Sequence, residues 1–256
     1  MHIPVDIRSA VVLRVLGLPM TNTFVTSILV TIVLTILAIS FSREVNKPKS
    51  VFVKLLMLAM HEWIRRIDAV THNPAMSRRV LPLIATFFLF ILTANLLALF
   101  PGFLGSLYVI ASSGAKYPFL RSPNTDLSTT LALAVISVAA TQYFSLRQLK
   151  LRAYLGRFIN FGSPLKAVIG FFELVSELTK LLSFSFRLFG NMFAGEVLLL
   201  ICAFLVPFIL PVPFMALEVF VGFIQAFIFA TLTLSFISIS TGGGEEVGKE
   251  VLSYNE

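Results

Sequence analysis

The sequence predicts an all-α integral membrane protein, with about five membrane helices and one interfacial amphipathic helix. Three observations carry this. Of 256 residues, 57% are hydrophobic and only 13% are charged, whereas a soluble domain carries about 25% charged residues. Several apolar runs reach the roughly 20 residues needed to cross a bilayer. The runs are continuous and lack period-2 alternation, so helices rather than a closed barrel satisfy the backbone in lipid.

Residues 1–22 are polar to mixed and precede a first span over about Thr23–Phe41. That run is longer than the roughly 7–15 residues of a signal-peptide core and no small-x-small site follows it, so it reads as a retained span. A basic linker with Pro48 comes next. Over residues 50–72, Lys54, His61, Glu62, Arg65 and Asp68 share one side of a helical wheel, opposite Trp63, Ile64 and Ile67. This is the pattern of a helix lying in the interface plane with its basic face toward water. A transmembrane hairpin follows over about 80–146, with spans Val80–Phe100 and Asp126–Phe144 around a Gly/Ser/Pro-rich loop. From Pro164 to Val206 the pattern is continuously helical; Pro207, Pro211 and Pro213 mark a turn, and a last helix runs from Phe214 to about Ser240. The expected organisation is an outer segment 1–22, one membrane domain 23–241 and an inner polar tail 242–256.

Charge placement orients the chain. Segment 42–79 holds eight Lys/Arg and 147–166 holds five, against two in 101–124 and none in 207–213. The basic segments are therefore on the inner side, with the N-terminus outside and the C-terminus inside. The same clustering explains the net charge of +7 without nucleic acid. Cys202 is the one cysteine; inside an apolar run it reads as a small buried residue.

The segment 164–206 is too long for an upright span. At 1.5 Å per residue it extends about 65 Å, against about 30 Å of hydrocarbon. It either breaks in two or tilts steeply; with no proline between Pro164 and Pro207, tilt is favoured. It also carries Glu173, Glu177, Lys180, Arg187 and Glu196. A central Arg, Lys or Asp costs about 2.5–3.5 kcal/mol even on lenient insertion scales, and such residues mark ion pathways.

Glu173, Ser176, Lys180, Ser183, Arg187 and Asn191 recur every three or four residues and stack on one face. Glu196 points roughly the opposite way. On the last helix, Glu218 and Gln225 share a face. Given the orientation, Asp126, Glu196 and Glu218 converge on the outer half, Glu173 and Glu177 on the inner half, and Arg187 lies between. This is the layout of two offset aqueous half-channels separated by a fixed cation. A guanidinium cannot relay protons by losing one, repels a crossing cation and attracts a carboxylate brought to it, while paired glutamates suit proton relay. Plainer readings stand beside these. Lys180 can simply pair with Glu177 or snorkel, Glu173 can sit at the interface, and Asp126 can be a helix N-terminal residue. Gly190, Gly195 and Gly222 read as close-packing positions between helices.

The stretch from Ser185 to Glu196, SFRLFGNMFAGE, and the stretch from Gln225 to Leu232, QAFIFATL, resemble the two signatures of F-type ATP synthase subunit a. Pro123-Asn124-Thr125-Asp126-Leu127-Ser128-Thr129-Thr130 resembles that family's channel-mouth segment, and Gly17-Leu18-Pro19-Met20-Thr21-Asn22-Thr23 the start of its bacterial members. The similarity covers roughly residues 15–241. It implies that Arg187 is the stator arginine facing a rotor ring, and that the last two helices are long, steeply tilted and curved against that ring. Glu196, Asn191 and Gln225 match the outer half-channel, with Asp126 at its mouth. Glu218 stands where many bacterial relatives carry histidine, which leaves open whether Glu196 and Glu218 share a proton. Glu173, Ser176, Thr179, Lys180 and Ser183 match the inner half-channel.

The resemblance further implies a c-subunit ring, peripheral-stalk b subunits and other ATP synthase subunits as partners. It implies translocated H⁺, with Na⁺ possible, and a bacterial plasma membrane, with an organellar energy-transducing membrane as the alternative. No P-loop, metal cluster or cofactor motif is present in the sequence, so the chain is expected to translocate ions without catalysing nucleotide chemistry and to bind no nucleic acid. The rival reading is an autonomous proton-coupled transporter, which usually shows internal repeats or paired interrupted helices; the sequence has neither.

Overall fold

The computed structural model describes residues 11–15, 18–44, 51–99, 108–110, 116–118, 121–148, 164–207 and 209–241. The expected tail 242–256 and the basic loop 149–163 lie outside the described residues. The helices are α1 (Asn22–Glu44), α2 (Val51–Thr71), α3 (Pro74–Leu99), α4 (Leu127–Gln148), α5 (Pro164–Leu205) and α6 (Pro211–Ser240). All except α2 are long and apolar enough to cross a membrane. The chain is an all-α, multi-pass membrane protein.

Among the described residues there are also two short antiparallel hairpins. One pairs β1 (Val11–Val15) with β2 (Leu18–Thr21). The other pairs β3 (Tyr108–Ile110) with β4 (Lys116–Pro118) in the segment read from sequence as loop. Val11, Val12 and Val15, and Val109 and Ile110, are β-branched residues suited to a pleated strand.

Local chemistry moves several helix ends from their expected places. His72 (φ 49°) stops α2, since histidine tolerates the left-handed region better than most residues. Asn73 then caps α3 by accepting from the N–H groups of Ala75 and Met76 at 3.1 and 3.2 Å, with Pro74 at the first helical position, where a missing donor costs nothing. So α3 starts at Pro74 rather than near Val80. By the same rule Pro211 and Pro213 fit the first turn of α6, which starts at Pro211 rather than Phe214.

The 42-residue α5 is a single uninterrupted helix. The alternative of a break is excluded, and at 1.5 Å per residue the helix extends about 63 Å.

The core forms where α3, α5 and α6 meet α2 and α4. Phe229 of α6 packs on Phe87 of α3 and Phe184 of α5, with ring centroids 5.3 and 5.0 Å apart. The apolar stripe of α2 covers this core: Trp63 lies 5.2 Å from Phe88 and 5.6 Å from Phe227, and Ile67 is fully buried. Lipid offers no hydrophobic drive between helices, so interhelical hydrogen bonds and small side chains help fix the packing. Ser137 of α4 bonds Thr233 of α6 at 2.7 Å, Thr130 of α4 bonds Ser185 of α5 at 3.2 Å, and Ser238 of α6 donates to the Val70 carbonyl at 2.9 Å.

Candidate functional site

The polar residues of α5 line an open groove between α5 and α6 of about 530 Å³. Ser176, Thr179, Lys180, Ser183 and Arg187 contribute from α5, with Leu232 and Phe236 facing them from α6. The i, i+3, i+4 spacing dictates this shared face. Glu173 is half-buried one turn below and does not line the groove. Lys180 donates to Glu177 Oε1 at 2.7 Å, and its Nζ stands 5.0 Å from the centroid of Phe236. The plain pairing of Lys180 with Glu177 is therefore realised in the structure.

Arg187 lies at the edge of this groove and is exposed on the flank of the bundle. Its Nη2 donates to Ser183 Oγ at 3.2 Å. Among the described residues no carboxylate lies within ion-pair distance of it. A guanidinium carried at mid-helix, with one neutral hydroxyl as its partner among the described residues, is open to an anionic group.

Beyond Arg187 the antiparallel register of α5 and α6 brings the other polar groups together. Asn191 Nδ2 donates to Gln225 Oε1 at 2.8 Å. Glu218, one further face-repeat along α6, is 6% exposed and lies against Gly195, where a Cβ would overlap its carboxyl group. Between Glu218 and Gln225, the Gly222 carbonyl accepts from Asn95 Nδ2 of α3 at 3.1 Å. Asn95 Oδ1 in turn accepts from Asn124 Nδ2 at 2.6 Å. Gly195 and Gly222 are close-approach positions as expected; at Gly190 a Cβ meets nothing within 4 Å among the described residues. It faces outward, 100° per residue placing it near the side of Arg187.

Asp126 ends a single 3-10 turn at Pro123–Thr125 and caps α4. Its Oδ1 accepts from the Ser128 N–H at 2.9 Å, and its Oδ2 accepts from Thr23 Oγ1 of α1 at 2.8 Å. The capping role is thus real, and one carboxyl oxygen is also tied to the first span. Five residues earlier, Arg121 Nε donates to Glu196 Oε2 at 3.1 Å. Segment 121–126 therefore joins α1, α3 and α5 at one place, with Asp126 and Glu196 both bonded to it or part of it.

The sequence matches the ATP synthase A chain family over residues 23–238. The chain belongs to that family. Among the curated relatives, ATP synthase subunit a of Moorella thermoacetica is 40% identical over 63% of this chain and 64% of its own length. ATP synthase subunit a 1 of Syntrophotalea carbinolica is 33% identical over 82% and 81%. ATP synthase subunit a 1 of Hahella chejuensis is 29% identical over 91% and 89%. The alignments with the Moorella protein and with the Nitrosospira multiformis subunit a span 64% and 60% of those relatives, short of two thirds.

The span shared with the ATP synthase A chain family includes every site residue from Asp126 to Gln225. It also includes residues to which the sequence reading gave no individual role: Arg121 and Asn95, which lie outside the quoted motifs, and Asn124 and Thr23, which lie within them. Signals for two of them were present. Arg121 is one of two cations in the stretch 101–124, and Asn95 interrupts the apolar run Phe87–Leu99, where a lone amide marks an interhelical hydrogen bond. Nothing local singles out Thr23.

Proposed function

We propose that this chain is the ion-translocating stator subunit of an F-type ATP synthase. Its partners would be a c-subunit rotor ring, peripheral-stalk b subunits and the other subunits of the complex, in a bacterial plasma membrane. The observation that carries the reading is Arg187. It is a cation at the middle of a membrane-length helix, without a carboxylate partner among the described residues, between a polar groove and a cluster of Glu196, Glu218, Asn191 and Gln225.

In this mechanism a proton enters from the outer side past Asp126, Glu196 and Glu218 and neutralises a carboxylate on the ring. The neutral site can enter lipid, where a charged one costs several kcal/mol. After nearly a full turn it reaches the groove of Ser176, Thr179, Lys180 and Ser183 and releases its proton toward Glu173. Arg187 attracts the emptied, anionic carboxylate and repels a cation, so protons do not pass directly between the two halves. The driving force is about 2.3 kcal/mol per charge per 100 mV. The chain itself makes and breaks no covalent bond except to the proton; ATP chemistry would belong to other subunits.

The test is Arg187→Ala in the reconstituted complex. ATP-driven proton pumping should vanish, with a passive leak through the chain; ordinary pumping by this variant would contradict the barrier role. Purification in mild detergent should bring the ring with it.

A further inference from the structure

We propose that Arg121 is a positioning residue of the outer half-channel, which holds the Glu196 carboxylate by one oxygen and leaves the other turned to the ion path. The inference rests on the half-channel reading above and assigns a part to a residue outside its motifs. The geometry is specific. Arg121 Nε donates to Glu196 Oε2 at 3.1 Å, while Glu196 Oε1 has no hydrogen-bond partner among the described residues. The Arg121 side chain is only 9% exposed and that of Glu196 26%.

Such a pair is a poor stabiliser. Taking two charges out of water costs several kcal/mol per ion, and their attraction often does no more than offset it. What a buried pair supplies well is direction, because the planar guanidinium presents its donors in a rigid fork.

The arginine is itself held. Its guanidinium carbon stands 6.0 Å from the centroid of Phe193, which stacks on Phe189 at 5.4 Å. Its backbone N–H donates to Thr26 Oγ1 of α1 at 3.4 Å. One residue on, Ser122 Oγ accepts from the Asn124 N–H, and Asn124 is bound to Asn95; then Asp126 is bound to Thr23. The support therefore comes from α1, α3 and α5 together. Among the described residues, the other acidic groups in this region are Asp126 at the start of α4 and Glu218 on α6. Asp126 is engaged with Thr23 and Ser128, and Glu218 lies against Gly195, the residue before Glu196.

The experiment uses the whole complex in liposomes, with flux normalised to the amount of this subunit incorporated. Four variants are compared: Glu196→Gln, Arg121→Gln, Arg121→Lys and Arg121→Gln combined with Glu196→Gln. Arg121→Gln should lower proton flux by about tenfold to a hundredfold, the scale of a misplaced reacting group. It should change the dependence of flux on outer pH while leaving the dependence on inner pH unaltered. Arg121→Lys should recover part of the flux. The double variant should be no slower than Glu196→Gln alone, since Arg121 acts through Glu196, and it removes the unpaired carboxylate that could prevent Arg121→Gln from folding. Native flux and outer-pH dependence in Arg121→Gln overturns the proposal. So does a double variant whose loss is the product of the single losses, or a lysine variant as slow as the glutamine one. Full flux in Glu196→Gln instead overturns the role of Glu196 in the half-channel, whatever Arg121 does.

Discussion

The carboxyl group of Glu218 occupies the space that a side chain at position 195 would need. Gly195 therefore matters for what it lacks. The obstructing atoms are the far end of a flexible side chain, so Gly195→Ala should fold and accumulate normally. Glycine-to-alanine replacement in the middle of a helix even favours the helix by about 0.5–1 kcal/mol. The cost should appear in function, because Glu218 must swing out of its packed position. The expected result is unchanged thermal stability in detergent with a proton flux lowered by about tenfold or more. Native flux would mean that the position of Glu218 is unimportant.

The other two glycines should behave differently. At Gly222 a Cβ would stand 3.0 Å from Asn95 Cβ, an atom fixed to the α3 backbone. Gly222→Ala must push α3 and α6 apart, and overpacking of this kind costs about 1–3 kcal/mol. At Gly190 the space is open among the described residues, so Gly190→Ala should leave the isolated subunit as stable as before. If a rotor ring covers this flank near Arg187, the same change should impair rotation-coupled flux in the complex. Measuring both variants as isolated subunit and in the assembled enzyme separates internal packing from partner packing.

Much of this was legible in the sequence, for identifiable reasons. The five spans follow from run length alone. The shared face of Ser176, Lys180, Ser183 and Arg187 follows from helical spacing, and the unbroken α5 from the absence of proline within it. Helix ends were less legible where a proline reads equally as a breaker or as a first-turn residue, as at Pro74 and Pro211. Pairings across the fold were not legible. Arg121 and Glu196 lie 75 residues apart and Asn95 and Gly222 lie 127 apart, and periodicity within one helix says nothing about which neighbour it faces. Gly190 shows the converse: its residue type suggests close packing, but among the described residues nothing packs against it.

Asn95 is fully buried and bridges two other groups, donating to the Gly222 carbonyl and accepting from Asn124. Asn95→Leu should remove both bonds at once. The Asn124 amide would then lose its short partner, and each buried polar group left unsatisfied costs about 1–3 kcal/mol. Asn124 Oδ1 already lacks a partner among the described residues, so segment 121–126 should loosen. The measurable outcome is a lower unfolding temperature together with faster proteolysis near Arg121. A variant as stable and as protected as the native chain would show that this link does not anchor the segment.

Lys180 and Glu177 allow the structural and functional parts of an ion pair to be separated. Both are largely buried, and Glu177 Oε2 has no other partner among the described residues. Lys180→Met would leave a carboxylate in a low-dielectric setting without its cation and should destabilise the chain by up to about 3 kcal/mol. Replacing both, as Glu177→Leu with Lys180→Met, removes the stranded charge and should restore stability nearly to the native level, as replacement of a buried pair by apolar residues of similar volume often does. Lys180 also lines the groove leading to Arg187, so an apolar double variant would present a drier wall there. If that groove is the inner proton path, the stable double variant should still conduct poorly, and its defect should respond to inner rather than outer pH. If the pair serves only to hold α5 together, restored stability and restored flux should return in step.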